Sequence, residues 1–168
     1  MVSRPHGAVS APDAPPADFR QLLGRFATGV AVVTTRALDG RAVGMTASSL
    51  ASVSLRPPLL SVCIDHAATI HDAILAAPAF VVNILEQSQE LIARRFAEDH
   101  PDRFDGIGYR LGEHGLVLLD GAHAWIECER HDLVEAGDHT IVIGRVTGGA
   151  AGEGHPLLYD RGGYGVMG

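Results

Sequence analysis

The sequence predicts a mainly β fold, an antiparallel β-barrel carrying a few short helical covers. Three observations lead there. Seven or eight apolar or β-branched runs of strand length follow one another, separated mostly by turn residues. Segments with helical spacing are three, too few to alternate with the strands as a doubly wound parallel sheet requires. The chain has 168 residues, 46% of them hydrophobic and with no repeat of fixed period, which suits one domain burying roughly 70% of its unfolded surface.

Residues 1–17 hold four prolines and almost no bulky apolar side chain, so burial cannot offset the entropy of ordering them. They read as a flexible leader before a domain over 18–168. Asp18 offers an N-cap with Gln21 three residues on, opening a helix through Phe26 whose Phe19, Leu22, Leu23 and Phe26 recur at helical spacing. Gly29 ends it. Strands are then expected over Val30 to Thr35 and Ala42 to Ser48, with Leu38-Asp39-Gly40 as the hairpin turn between them.

Pro57-Pro58 cannot sit inside a central strand, so a fresh strand runs from Leu59 to Ile64. A helix follows from Thr69 to Ala76, closed by Pro78, and Phe80 to Leu85 returns as strand. Ser88 reads as the cap of a second amphipathic helix with Leu91, Ile92 and Phe96, and Ala97 to Gly108 as a long polar loop. Four further strands are expected at Leu116 to Leu119, Ala122 to Val134, Thr140 to Gly148 and Leu157 to Tyr159.

The composition narrows the chemistry. The net charge is -7 and all thirteen bases are arginine, so nonspecific nucleic-acid binding is disfavoured and neither a Schiff-base lysine nor a P-loop lysine is available. Cys63 and Cys128 are too few for a disulfide scaffold, and no signal peptide or span of ~20 apolar residues is present, so a cytoplasmic protein off the membrane is expected. Gly163 to Gly168 fits G-x-G-x-x-G, but the chain stops where the phosphate-binding helix has to begin. Neither G-x-S-x-G nor H-E-x-x-H occurs. Cys128 and His131, three apart in a strand, point to opposite faces, so no metal site is assigned.

Four features do carry chemistry. Thr46-Ala47-Ser48-Ser49-Leu50-Ala51-Ser52 places four hydroxyls and their amides where a phosphate or heterocycle can be cradled without charge, or where a strand simply ends. Thr69 is the expected cap of the helix after Cys63-Ile64-Asp65, where free amides favour an anion. In Gly137-Asp138-His139-Thr140 the acid can orient an imidazole at a strand mouth, or be an ordinary surface neighbour. Asn83, inside an apolar strand, needs partners that a ligand edge or the protein itself can provide.

The ordered string Phe26-Ala27-Thr28-Gly29-Val30 to Val33-Thr34-Thr35, Gly44 to Ser49, Ser54 with Pro57-Pro58, Val62 to Asp65, Val82 to Leu85, Phe96, Gly137-Asp138-His139 and Pro156 to Tyr159 resembles the short-chain flavin reductase family. That resemblance covers about residues 18 to 165. It implies an FMN-binding split barrel, a homodimer, and an NAD(P)H-dependent enzyme that reduces FMN or FAD for a flavin-dependent monooxygenase, with NADH or NADPH as the co-substrate. Hydride then passes from nicotinamide C4 to flavin N5, and the protein supplies geometry.

Carried onto this sequence, the resemblance gives Thr34, Thr46, Ala47, Ser48, Ser49, Ser52, Cys63, Ile64, Asp65, Thr69, Asn83 and Phe96 as flavin contacts, with Thr46 to Ser49 on the phosphate and ring, Cys63, Ile64 and Asp65 beside the ring and Thr69 at the phosphate. His139 and Tyr159 receive the nicotinamide, with His139 the residue assigned to catalysis. The alternative is a flavin- or haem-binding protein that stores or senses its cofactor without turning it over.

Overall fold

The computed structural model describes residues 16–100 and 102–167. Its twelve strands and three α-helices run, in chain order, α1 (Pro16–Leu23), β1 (Thr28–Gly29), β2 (Ala31–Arg36), β3 (Ala42–Ala47), β4 (Ala51–Leu55), β5 (Pro58–Asp65), α2 (His71–Ala76), β6 (Ala79–Ile84), α3 (Glu90–Ala97), β7 (Tyr109–Leu111), β8 (Val117–Leu119), β9 (Ala124–Ala136), β10 (His139–Ala151), β11 (Leu158–Asp160) and β12 (Gly163–Gly165). Seven strands form the main antiparallel sheet, in the order β3-β2-β6-β9-β10-β5-β4; β1-β11-β12 and β7-β8 form two small ones.

β2 shows why the continuous apolar run folds as it does. Val33 joins the cluster of Val62, Ile64, Phe80, Val82 and Val142 inside the sheet, while Val30 and Val32 join Leu85, Phe96, Val117 and Leu157 on its other side. Successive side chains alternate faces, so a strand covered on both must be apolar throughout. β5 alternates instead: Leu60, Val62 and Ile64 are buried, Ser61, Cys63 and Asp65 half-exposed. At Gly144 the strand touches its neighbours so closely that a Cβ would lie 2.5 Å from Phe80 Cζ and 2.9 Å from Cys128 Cβ.

The sheet's free edges meet through one side chain. β4 pairs with β5 only as far as Ala51 opposite Ser61. Beyond that point the Ser49 hydroxyl takes the place of a strand, accepting from Cys63 N at 2.9 Å and donating to Cys63 O at 3.3 Å. It thus ties the end of β3 to β5.

Several expectations are corrected. α1 begins at Pro16, ahead of Asp18, and ends at Leu23; the rest of the expected leader, residues 1–15, lies outside the described residues. α2 starts at His71 with Ile70 at its cap position and no side-chain cap, so Thr69 is not the cap. The Asp65 side chain accepts from Ala67 N, and consecutive turns occupy 65 to 71 before the helix can start. The cap of the single 3-10 turn leading into α3 is Glu86, reciprocated by Gln89, and Ser88 only donates to the Glu86 carboxylate. Leu91 faces outwards, leaving Ala93 and Phe96 as the buried side of α3. β1, β4, β7 and β12 were not expected; each depends on a partner strand more than on its own pattern.

Candidate functional site

Three cavities lie along β3 and the segment that follows it. The first, of about 250 Å³, is lined by Met45, Thr46, Asp65, Thr69, Phe96 and Arg103 among others. The second, of about 290 Å³, shares Thr69, Asp99 and Arg103 with it and adds Arg41, Val43 and Phe104. The third, of about 650 Å³ and mainly apolar, is lined by Phe26, Thr28, Ser48, Ser49, Leu50, Tyr159 and Arg161 together with side chains of α1. The 46–49 segment therefore borders cavities on two sides: Thr46 on the first, Ser48 and Ser49 on the third.

Local structure fixes each of these side chains. Thr46 donates to Ala93 O at 2.7 Å, tying β3 to α3. Gly44 leaves room for Phe96, whose Cε1 would be 3.0 Å from a Cβ there. Phe96 in turn stands edge-on to Phe104, ring centroids 4.9 Å apart. Tyr159 sits on β11 opposite Thr28, its ring edge-on to Tyr164 at 5.3 Å. The Thr28 hydroxyl oxygen is buried with no partner among the described residues.

His139 opens β10 directly opposite Asp65 of β5, on the same half-exposed face as Cys63. It lines none of the three cavities, but Asp65 lines the first and lies about 7 Å along the strand from Cys63, to which Ser49 is bound. One strand thus joins the Ser49 side of the site to the His139 side. His139 Nδ1 donates to the Asp138 carboxylate at 2.6 Å. That hydrogen bond, with the backbone amide and the imidazole's charge, holds the Asp138 carboxyl below the usual carboxylate range, so it is ionised at neutral pH.

Other candidate residues are bonded within the protein, turned into the core or set away from the three cavities. Thr34 is fully buried and donates to Val117 O at 2.8 Å. Asn83, also fully buried, donates to Val32 O at 3.1 Å and Thr34 Oγ1 at 3.2 Å and accepts from Leu119 N at 2.9 Å. Their polar groups are spent joining β2 and β6 to β8. Ala47 and Ile64 turn their side chains into the core, which leaves only their backbone near the site. Ser52 is exposed on β4 and borders none of the three cavities. Cys128 is buried whereas His131 is exposed.

Sequence reasoning missed a polar cluster at the start of β10. His66 Nε2 lies 3.1 Å from Glu135, and Thr140 donates to Glu135 at 3.0 Å while His71 Nε2 meets the Thr140 hydroxyl at 3.1 Å. It also missed Arg41, Asp99 and Arg103, which sit in segments read as turn or loop. Nothing in the local pattern of those segments marks them as cavity walls.

The hydroxyls and amides on the first and third cavities suit a flat heterocycle with a polar edge and a polyol tail. The third cavity falls inside the about 300–1,000 Å³ typical of small-molecule sites. Its buried, unpartnered Thr28 hydroxyl is a further group that such a ligand, or a small shift of the wall, satisfies.

A sequence model of a family described as "Flavin reductase like domain" matches residues 23–168. A flavin reductase of Pseudomonas putida is 43% identical over 148 residues, covering 88% of this chain and 87% of that protein. A probable flavin reductase of Rhizobium meliloti is 42% identical over 149 residues, 89% of this chain, but the chain spans only 48%, about half, of that relative's length. The solved NADH:FAD oxidoreductase of Streptomyces globisporus, in complex with NAD and FAD fragments, has a TM-score of 0.86 at 39% identity and covers 94% of this chain and 98% of its own.

Proposed function

Because the chain belongs to the flavin reductase like domain family, we propose that it is an NAD(P)H-dependent flavin reductase supplying reduced FMN or FAD to a partner flavin-dependent monooxygenase. The observation that carries this reading is the placement of Thr46 on one cavity and of Ser48 and Ser49 on the next, in a chain whose relatives are named reductases or oxidoreductases. The alternative of a cofactor store or sensor gains nothing from those relatives.

A bound flavin supplies the hydride acceptor that no side chain of this protein can provide. The 46–49 segment holds the ring edge through hydroxyls and amides, with the half-exposed face of Cys63 and Asp65 beside it. Thr46 and Thr69 offer hydroxyls to the polyol tail. The apolar lining of the third cavity excludes water from the ring face. Asp138 accepts the Nδ1 proton of His139 and so turns Nε2 outwards, towards the co-substrate. His139 and Tyr159 position the nicotinamide; neither needs to exchange a proton for hydride to move.

The functional unit is a homodimer. Phe19, Leu22, Leu23 and Phe26 of α1 and its following turn, with Val53 and Leu55 of β4, are large exposed apolar side chains that a second copy would cover. A cytoplasmic setting suits its two free cysteines.

The test is NADH consumption with FMN, FAD and riboflavin as acceptors, in wild type and His139→Ala. The variant is expected to raise the nicotinamide KM severalfold more than it weakens flavin binding. Equal loss of both would remove His139 from the nicotinamide site, and no consumption by wild type with any flavin would remove the activity.

A further inference from the structure

We propose that Arg20, Arg25 and Arg161 form an anion site for the diphosphate bridge of the nicotinamide donor, in a fourth cavity beside the third. This rests on the reductase reading above and deepens it, naming residues that hold the donor at a distance from its reacting ring.

The fourth cavity, of about 650 Å³, is lined by Arg20, Leu22, Gly24 and Arg25 of α1 and its following turn, and by Arg161 of the turn between β11 and β12. Among the described residues no carboxylate lines it. Three of the thirteen arginines thus converge on one cavity of a chain whose net charge is -7. A concave wall of one sign focuses its field and gathers anions that the rest of such a surface repels.

Two backbone hydrogen bonds bring these arginines together. Gly24 N donates to Arg20 O at 2.8 Å, closing the last turn of α1, and Arg161 N donates to Gly24 O at 2.9 Å, fastening the β11-β12 turn to it. Arg161 and Gly162 are the two residues between the paired Asp160 and Gly163, and both have positive φ, 49° and 82°. A two-residue hairpin of this kind favours Asn-Gly, so an arginine in its first position costs stability. A side chain placed against the backbone's preference points to a use for that side chain. Its guanidinium is 66% exposed, and Nε lies 3.5 Å from Asp160, too far for a strong hydrogen bond, so its donors are open to a ligand.

Position selects the ligand. Arg20 and Arg161 line the third cavity as well, together with Tyr159, so the fourth adjoins the place given above to the nicotinamide. The flavin tail is assigned to Thr46 and Thr69, which line the first cavity, leaving the cations beside Tyr159 for the other phosphate-bearing reactant. Guanidinium forks bind phosphate oxygens in pairs, and a diphosphate offers two phosphates to three forks.

The experiment uses the full-length chain with FMN as acceptor and two hydride donors, NADH and dihydronicotinamide riboside, which carries no phosphate. Arg25→Gln is expected to raise the KM for NADH about threefold to tenfold at unchanged kcat, the size of one exposed charge-assisted contact, and to leave turnover of the riboside as in wild type. Added salt should raise the wild-type KM for NADH and flatten that rise in the variant. Arg161→Asn should weaken NADH use relative to the riboside by a similar factor while its Tm equals or exceeds that of wild type, which separates the lost contact from lost folding. A KM for NADH that neither variant changes, or a loss equal for both donors, would overturn the anion site alone. So would a loss confined to FAD in parallel fluorescence titrations with FAD and FMN, which would give the cavity to the flavin's own diphosphate. Wild type that oxidises neither donor would overturn the reductase reading with it.

Discussion

Replacing Ser49 by alanine tests whether its hydroxyl closes the sheet. The side chain supplies two bonds to Cys63, at 2.9 and 3.3 Å, on a stretch of β5 that β4 no longer reaches. The shorter bond is worth ~1 kcal/mol, the longer less, and leaving a half-buried N–H without an acceptor adds about as much again. The expected loss is therefore ~2 kcal/mol, which lowers Tm by roughly 4–8 °C in a chain of this size. Thermal melts in the absence of flavin measure it, with Ser48→Ala as the control. Ser48 is exposed and should stay within ~0.5 kcal/mol of wild type. If Ser49→Ala melts with wild type, the clamp contributes nothing and Ser49 returns to the set of free hydroxyls facing the third cavity.

Other outcomes follow from the same contacts. Asn83→Ala strands two buried backbone groups, Val32 O and Leu119 N, and should cost ~2–4 kcal/mol in urea unfolding; a change below ~0.5 kcal/mol would show that β8 does not depend on that amide. Gly144→Ala drives a methyl against Phe80 and Cys128 and should cost ~1–3 kcal/mol, partly recovered by adding Phe80→Leu; an unchanged midpoint would mean the sheet opens there at no cost. Burial pushes the Cys128 thiol from 9.0 up to about 12, with Glu127 adding to the effect. The native state then keeps a proton that the unfolded chain releases. Stability from this group is intact below pH 9 and declines towards pH 12 by up to ~1.4 kcal/mol per pH unit. Cys128→Ala should flatten that part of the profile, and parallel profiles for the two proteins would contradict the burial argument.

How far the sequence could be read depended on where each residue's partners lie. β2, β6 and the β9-β10 hairpin were legible because their apolar content and turn signals are local. β4 was not, since Ala51 to Leu55 is largely exposed and is a strand only because β5 lies beside it. The same limit governs the site. Thr46, Ser48, Ser49, Asp65, Thr69 and Tyr159 were flagged and do border the cavities.

Asn83 and Thr34 were flagged too, yet their partners are Leu119 and Val117, 36 and 83 residues away. From the sequence, an amide that bonds a ligand and one that bonds a distant strand look alike. Arg103 was passed over for the opposite reason: a polar loop hides the fact that the fold buries its guanidinium.

The most direct test of the account is anaerobic mixing of the full-length protein with oxidised FMN and NADH, watching the flavin's visible absorbance. The absorbance is expected to bleach at a rate proportional to protein concentration and to return when air is admitted. Bound flavin that keeps its absorbance in the presence of excess NADH, and of NADPH tried in its place, would contradict it.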